Sequence, residues 1–79
     1  MEDDVKIVIG KRVKEIRSSK GLSQEKLALK SNIDRTYITS VENGKRNISI
    51  EMIQKICKGM DISIKDLFDC GDFKWKQLI

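Results

Sequence analysis

Apolar residues recur at three- and four-residue spacing along this chain, in short lengths cut apart by residues that start or stop helices. Val5, Ile9, Val13 and Ile16, flanked by Val8, mark a first amphipathic helix whose other face is Lys11, Lys14, Glu15 and Ser18. Gly21 stands just past its end, where a positive φ suits glycine. Ser23 is placed to cap a second helix over 24–31, with Leu27 and Ala28 inward. Asn32, a residue type that tolerates the left-handed conformation, can make the tight reversal that follows. Asp34 is placed to cap a third helix over 35–43, which Gly44 closes. Ser49 starts a fourth helix with Ile50, Ile53, Ile56, Cys57 and Met60 inward. Ser63-Ile64-Lys65-Asp66 is a capping signal for a short fifth helix carrying Ile64, Leu67 and Phe68. Ile48-Ser49-Ile50 and Ile62-Ser63-Ile64 alternate, but each stretch is too short for a strand and is followed by helical spacing. The expected fold class is all-α: one compact five-helix domain over 1–79, with its core at about 5–69 and a C-terminal tail at 70–79.

The same residues exclude most chemistry. The chain has 79 residues and no histidine, so the commonest general base is missing. Neither a Ser-His-Asp nor a Cys-His arrangement can be built. The five glycines stand singly and make no phosphate loop. A structural zinc site wants four ligands, mostly Cys and His, and only Cys57 and Cys70 are on offer. No enzyme, no metal and no cofactor is therefore expected. Two cysteines, one on an apolar helical stripe, read as a reduced intracellular protein. No apolar run approaches the roughly 20 residues of a membrane span. The acidic start Met1-Glu2-Asp3-Asp4 is the wrong sign for a signal peptide. A cytoplasmic location with no membrane contact is the expectation. A core this small supplies little stability, which favours self-association.

Charge is placed unevenly. Residues 5–47 hold eleven Lys and Arg against four Asp and Glu, a net +7, while the rest of the chain carries −3. A basic half joined to an acidic half suggests a surface facing a polyanion. A solvated helix face would read the same way, so charge alone does not decide.

The two short helices around Asn32 do. About eight residues, a turn of three to four, then a second helix is the spacing of a DNA-binding helix-turn-helix. Ala28 is small where two steeply crossing helices come close, and Ile33 plugs the turn. With Ile38 and Val41 facing inward, Thr36, Thr39, Ser40 and Asn43 cluster on the opposite side at about 100° per residue, flanked by Arg35 and Tyr37. That outward face is short, polar and uncharged, with an arginine at its tip. Arg can pair with guanine, Asn with adenine, and a Thr methyl can touch thymine.

Leu22-Ser23-Gln24-Glu25-Lys26-Leu27-Ala28, Tyr37-Ile38-Thr39-Ser40-Val41-Glu42-Asn43-Gly44-Lys45-Arg46-Asn47 and Ile62-Ser63-Ile64-Lys65-Asp66-Leu67-Phe68 stand in order at the spacings of a known family. Over about residues 7–69 the chain resembles the lambda-repressor-like (XRE) helix-turn-helix family. It departs from the family pattern at Asn32, where Gly is usual, and at Ile48, where Pro is frequent. Residues 31–38 with Gly44-Lys45-Arg46-Asn47 also resemble restriction–modification controller proteins, which are small homodimeric regulators. The resemblance implies a sequence-specific transcriptional regulator, a homodimer on a palindromic operator in double-stranded DNA. It implies base readout by Arg35 and Thr36, with Ser40 and Asn43 on bases or phosphate and Thr39 on the same face. It implies phosphate contacts from Arg17, Gln24, Tyr37, Arg46 and Asn47, with the minor groove as the alternative for Arg46 and with Gln24 also buttressing the recognition helix. Glu42 is expected in an ion pair with an arginine.

The apolar residues near the C-terminus have two readings. Ile64, Leu67 and Phe68 suit either the monomer core or a dimer interface, and Phe73 and Trp75, in a charged tail, suit the interface better. Dimerisation fits the function, because two helix-turn-helix units on a two-fold axis read half-sites about one helical turn apart. The alternative to a regulator is an antitoxin or partner-binding module on the same fold, with Leu29 and the tail as its surface. Activation of transcription would add RNA polymerase as a partner.

Overall fold

The computed structural model describes residues 4–70. Among these it has five helices and no strand: α1 (Asp4–Ser19), α2 (Gln24–Ser31), α3 (Arg35–Glu42), α4 (Ile50–Gly59) and α5 (Ile64–Phe68). α1 packs on α3 and α5, α2 packs on α3 and α4, and α4 closes against α5. Phe73 and Trp75 lie outside the described residues.

Four helices end in one motif. After α1, the Gly21 amide donates to Ser18 O and the Leu22 amide to Arg17 O, both at 3.0 Å, with Gly21 at φ 71°. The same pair of bonds closes α2 at Asn32 (φ 57°), α3 at Gly44 (φ 72°) and α4 at Asp61 (φ 60°). Each satisfies carbonyls that the last turn leaves unpaired. Asn32 thus fills a glycine's place, as expected, whereas Asp61 in the left-handed region was not foreseen. Helix starts follow the serines. Ser23, Ser49 and Ser63 accept from the amides of Lys26, Met52 and Asp66 at 3.0, 3.1 and 3.0 Å. Asp34 holds the corresponding position before α3, but its side chain makes no capping bond.

Ile9, Val13, Ile16, Leu27, Ala28, Ile38, Val41, Ile53, Ile56, Cys57, Met60 and Leu67 form one buried cluster, with Ile33 and Tyr37 packed against it. Three expectations are corrected here. Val5 is half exposed, in the first turn of α1. Ile50 is 78% exposed, since it stands at the very start of α4. Leu67 is 1% exposed and points into the monomer core, which withdraws it from a dimer interface. Ile64, one turn back on α5, stays exposed, and Phe68 is half-buried.

Two close approaches set the crossings. A Cβ at Gly10 would sit 2.3 Å from Val41 O, so α1 and α3 meet backbone to backbone there. A Cβ at Gly59 would sit 2.1 Å from the Ser31 hydroxyl oxygen, so α2 and α4 meet at small residues.

α5 is held at both ends. Ser63 and Asp66 form a capping box, the Ser63 amide donating to Asp66 Oδ2 at 3.2 Å. At the other end, Arg12 of α1 donates to three carbonyls: from Nε to Leu67 O at 2.9 Å, and from its second terminal nitrogen (Nη2) to Asp66 O at 2.9 Å and Asp69 O at 3.1 Å. A cation there also suits the negative end of the helix dipole. The bonds from Ser63 hold the Asp66 carboxyl below its ordinary pKa. A depressed carboxyl stabilises the fold above the ordinary carboxylate range and loses that contribution as pH falls through its folded value. In wild type, acid should therefore loosen α5 over that window. Asp66→Asn should melt lower at neutral pH and lose less between neutral and acid, as followed by circular dichroism.

Candidate nucleic-acid interface

α3 is pinned by Ile38 and Val41, Tyr37 packs against the core, and Glu42 turns inward at its end. Arg35, Thr36 and Asn43 are exposed, and Thr39 and Ser40 are partly exposed. Arg46 and Asn47 stand exposed in the loop after α3, and the Arg46 guanidinium lies 4.6 Å over the Tyr37 ring. Stacking of this kind orders a long cationic side chain. The structure therefore brings together Arg35, Thr36, Tyr37, Thr39, Ser40, Asn43, Arg46 and Asn47, with Gln24 beside them at the start of α2.

Behind this face lies a polar hub on Glu42, whose side chain is 2% exposed. Arg17 donates to it twice, from Nε to Oε2 at 2.6 Å and from its second terminal nitrogen (Nη2) to Oε1 at 3.0 Å. The other terminal nitrogen of Arg17 (Nη1) donates to Leu22 O at 2.7 Å. Gln24 Nε2 donates to Glu42 Oε1 at 3.0 Å, and Thr39 Oγ1 donates to Gln24 Oε1 at 3.0 Å. One carboxylate thus ties α1, α2 and α3 together. The bond to Glu42 raises the Arg17 pKa above its ordinary value, against the opposing effect of burial.

The expected ion pair of Glu42 with an arginine is present, and Gln24 does buttress α3. The expectation that Arg17 faces phosphate is corrected. Its guanidinium is turned inward onto Glu42 and Leu22, because Arg17 lies four residues after Val13, on the inward stripe of α1. That spacing was the available signal. Arg12 was missed for the same reason: it falls between Ile9 and Ile16 on that stripe. Of the eleven basic residues in 5–47, two are therefore structural, and the other nine are exposed.

Both cysteines are free, Cys57 buried and Cys70 half-buried. Burial, with Asp66 adding to it, pushes the Cys57 thiol above its ordinary pKa and keeps it protonated. Among the described residues no cluster of His, Cys, Asp or Glu could hold a metal ion, and no helix is long and apolar enough to cross a membrane.

A helix-turn-helix family model, HTH_3, matches residues 13–67. The control protein C.BamHI of Bacillus amyloliquefaciens is 43% identical over 70 residues, covering 87% of this chain and 86% of that protein. The restriction–modification controller C.AhdI of Aeromonas hydrophila superposes with a TM-score of 0.77 at 44% identity, covering 80% of this chain and 96% of that one. The controller C.Esp1396I, solved as a tetramer with its natural 35 base-pair operator, superposes with a TM-score of 0.80 at 39% identity, covering 84% and 87%.

Proposed function

This chain belongs to the helix-turn-helix family, and from that premise we propose that it is a sequence-specific, DNA-binding transcriptional regulator. In this reading it works as a homodimer on a palindromic operator and controls a restriction–modification operon from the cytoplasm, without enzymatic activity. Residues 5–69 act as one DNA-binding domain, and 70–79 add to the dimer contact. The observation that carries the reading is the exposed polar face of α3, anchored by Ile38 and Val41 and edged by Arg35 and the Tyr37–Arg46 stack. Similarity to control proteins over most of the chain supports the operon.

Arg35 and Thr36 read base edges from the N-terminal end of α3, with Thr39, Ser40 and Asn43 behind them. Gln24, Tyr37, Arg46 and Asn47 bind the phosphate backbone. Arg17 takes no part in contact with DNA; it holds Glu42. The dimer contact uses Ile64 and Phe68 together with the tail. An activator would also touch RNA polymerase, and a candidate surface for it is the groove that Glu25, Ala28, Leu29, Asn32, Ile33 and Asp34 line up to the edge of Arg35. The partner-binding alternative rests on the same place, where Leu29 is 79% exposed.

A salt titration separates the two. Binding through phosphates weakens linearly in log-log form, with a slope of about −0.9 per phosphate neutralised. Association through an apolar groove does not. Absence of any preferred sequence across the salt range would defeat the regulator reading. Within it, Arg35→Ala should weaken operator binding by roughly 1–3 kcal/mol and relax specificity at one base pair. Equal loss on operator and random duplexes would instead assign Arg35 to phosphate.

A further inference from the structure

We propose that Glu42, which is buried and out of reach of DNA, takes part in base selection by fixing which way the Thr39 hydroxyl points. The proposal rests on the regulator reading above. Glu42 is paired with Arg17 through both oxygens. A carboxylate in such a pair offers acceptors only. The Gln24 amide has one donor end and one acceptor end of nearly equal shape. Only its Nε2 can face Glu42 Oε1 at 3.0 Å, since the reverse would set two acceptors against each other. The direction of the amide is therefore dictated by the charge behind it. Gln24 Oε1 is left facing Thr39 Oγ1 at 3.0 Å, and that contact needs the hydroxyl proton.

A threonine hydroxyl has one proton and two lone pairs. The second acceptor within reach, Arg35 O at 3.2 Å, is an exposed backbone carbonyl one turn back on α3, and so also belongs to the protein. The proton is thus committed to the protein, and Thr39 meets the major groove as an acceptor with a methyl group beside it. The groove offers donors only at adenine N6 and cytosine N4; guanine O6 and thymine O4 are acceptors. Thr39 should select adenine or cytosine at the position it faces and disfavour the other two. Gln24 and Glu42 are positioning residues for that choice.

Ser40 provides an internal control. Its hydroxyl donates to Thr36 O at 3.1 Å, a bond within α3 that does not depend on Glu42. Any preference Ser40 imposes should survive a change at Glu42.

The test is selection of bound duplexes from a randomised pool by the full chain, wild type against Thr39→Val, Thr39→Ser and Glu42→Gln, with a melting curve for each. Thr39→Val keeps the shape and loses the oxygen. It should reduce an adenine or cytosine preference at one base pair by roughly 3- to 10-fold, the worth of one neutral hydrogen bond. Thr39→Ser should retain that preference. Glu42→Gln, by letting the Gln24 amide turn over, should relax the same base pair and leave the rest of the consensus unchanged. A structural role alone would lower affinity on all sequences equally. The idea is overturned if Thr39→Val changes no base preference, or if the base pair it affects favours guanine or thymine. It is also overturned if a folded Glu42→Gln selects the wild-type consensus. Should Glu42→Gln fail to fold, the valine and serine variants decide the direction of the hydroxyl. A wild type that selects no sequence would overturn the regulator reading itself, a separate outcome.

Discussion

Glu42→Ala should destabilise the fold by about 3 kcal/mol, among the larger losses available to a single change away from the apolar core. Breaking a buried pair from one side leaves the other charge without compensation, at a typical loss of about 3–5 kcal/mol. The lower end applies because Arg17 is 12% exposed and keeps its bond to Leu22 O. Gln24 would also lose the acceptor of its amide nitrogen. A chain of this length has a net stability of about 4–12 kcal/mol, so the change removes a large share of it. The melting temperature should fall by roughly 12–24 °C. Replacing both partners, as Arg17→Met with Glu42→Leu, should recover most of that loss, because packed apolar groups often match a buried pair. Thermal and urea unfolding measure both variants. A fall of under about 1 kcal/mol for Glu42→Ala would mean that water screens the pair as it screens surface pairs.

Why this pair was only half legible follows from what sequence carries. Glu42 was expected to pair with an arginine, but which one was not legible. Its partner lies 25 residues away, and the long-range bond from Arg12 to Leu67 spans 55. A count of formal charges treats Arg12 and Arg17 like any lysine. Their positions on the apolar stripe of α1 were the signal that they turn inward, and the charge sum concealed it.

Helix ends were the easiest features to read because they are local. Gly21, Asn32 and Gly44 each satisfy a backbone demand of the residue itself, and Ser23, Ser49 and Ser63 each bond an amide three residues on. Asp61 has the same left-handed role but was hidden, since Asp serves as readily in a cap or on a solvated face. Periodicity reveals a face but not where along it burial begins, and Val5 and Ile50 stand exposed in the first turns of α1 and α4. In α5, five residues are too few for a period to separate Leu67 from Ile64. The rotation of α3 was legible from Ile38 and Val41, whereas the bond from Thr39 to Gln24 was not, because it crosses to another helix.

That rotation sets the last expected result. Ile38 is 0% exposed and is one of two buried residues that anchor α3. Ile38→Ala should destabilise by about 2–5 kcal/mol, the lost transfer energy plus that of the cavity left behind. Ile38→Val, which keeps most of the volume, should lose only about 0.5–1.5 kcal/mol. The alanine variant should bind operator weakly because few molecules are folded, not because its contacts are altered. Added operator at about 100 times the dissociation constant would then return roughly 2.7 kcal/mol to the folded state. So the melting temperature of Ile38→Ala should climb steeply with operator concentration, while its base preferences stay those of wild type. Arg35→Ala should behave in the opposite way, with an unchanged melting temperature and an altered preference. If Ile38→Ala melts like wild type, or folds fully with a changed consensus, then α3 is not held in its rotation by this side chain.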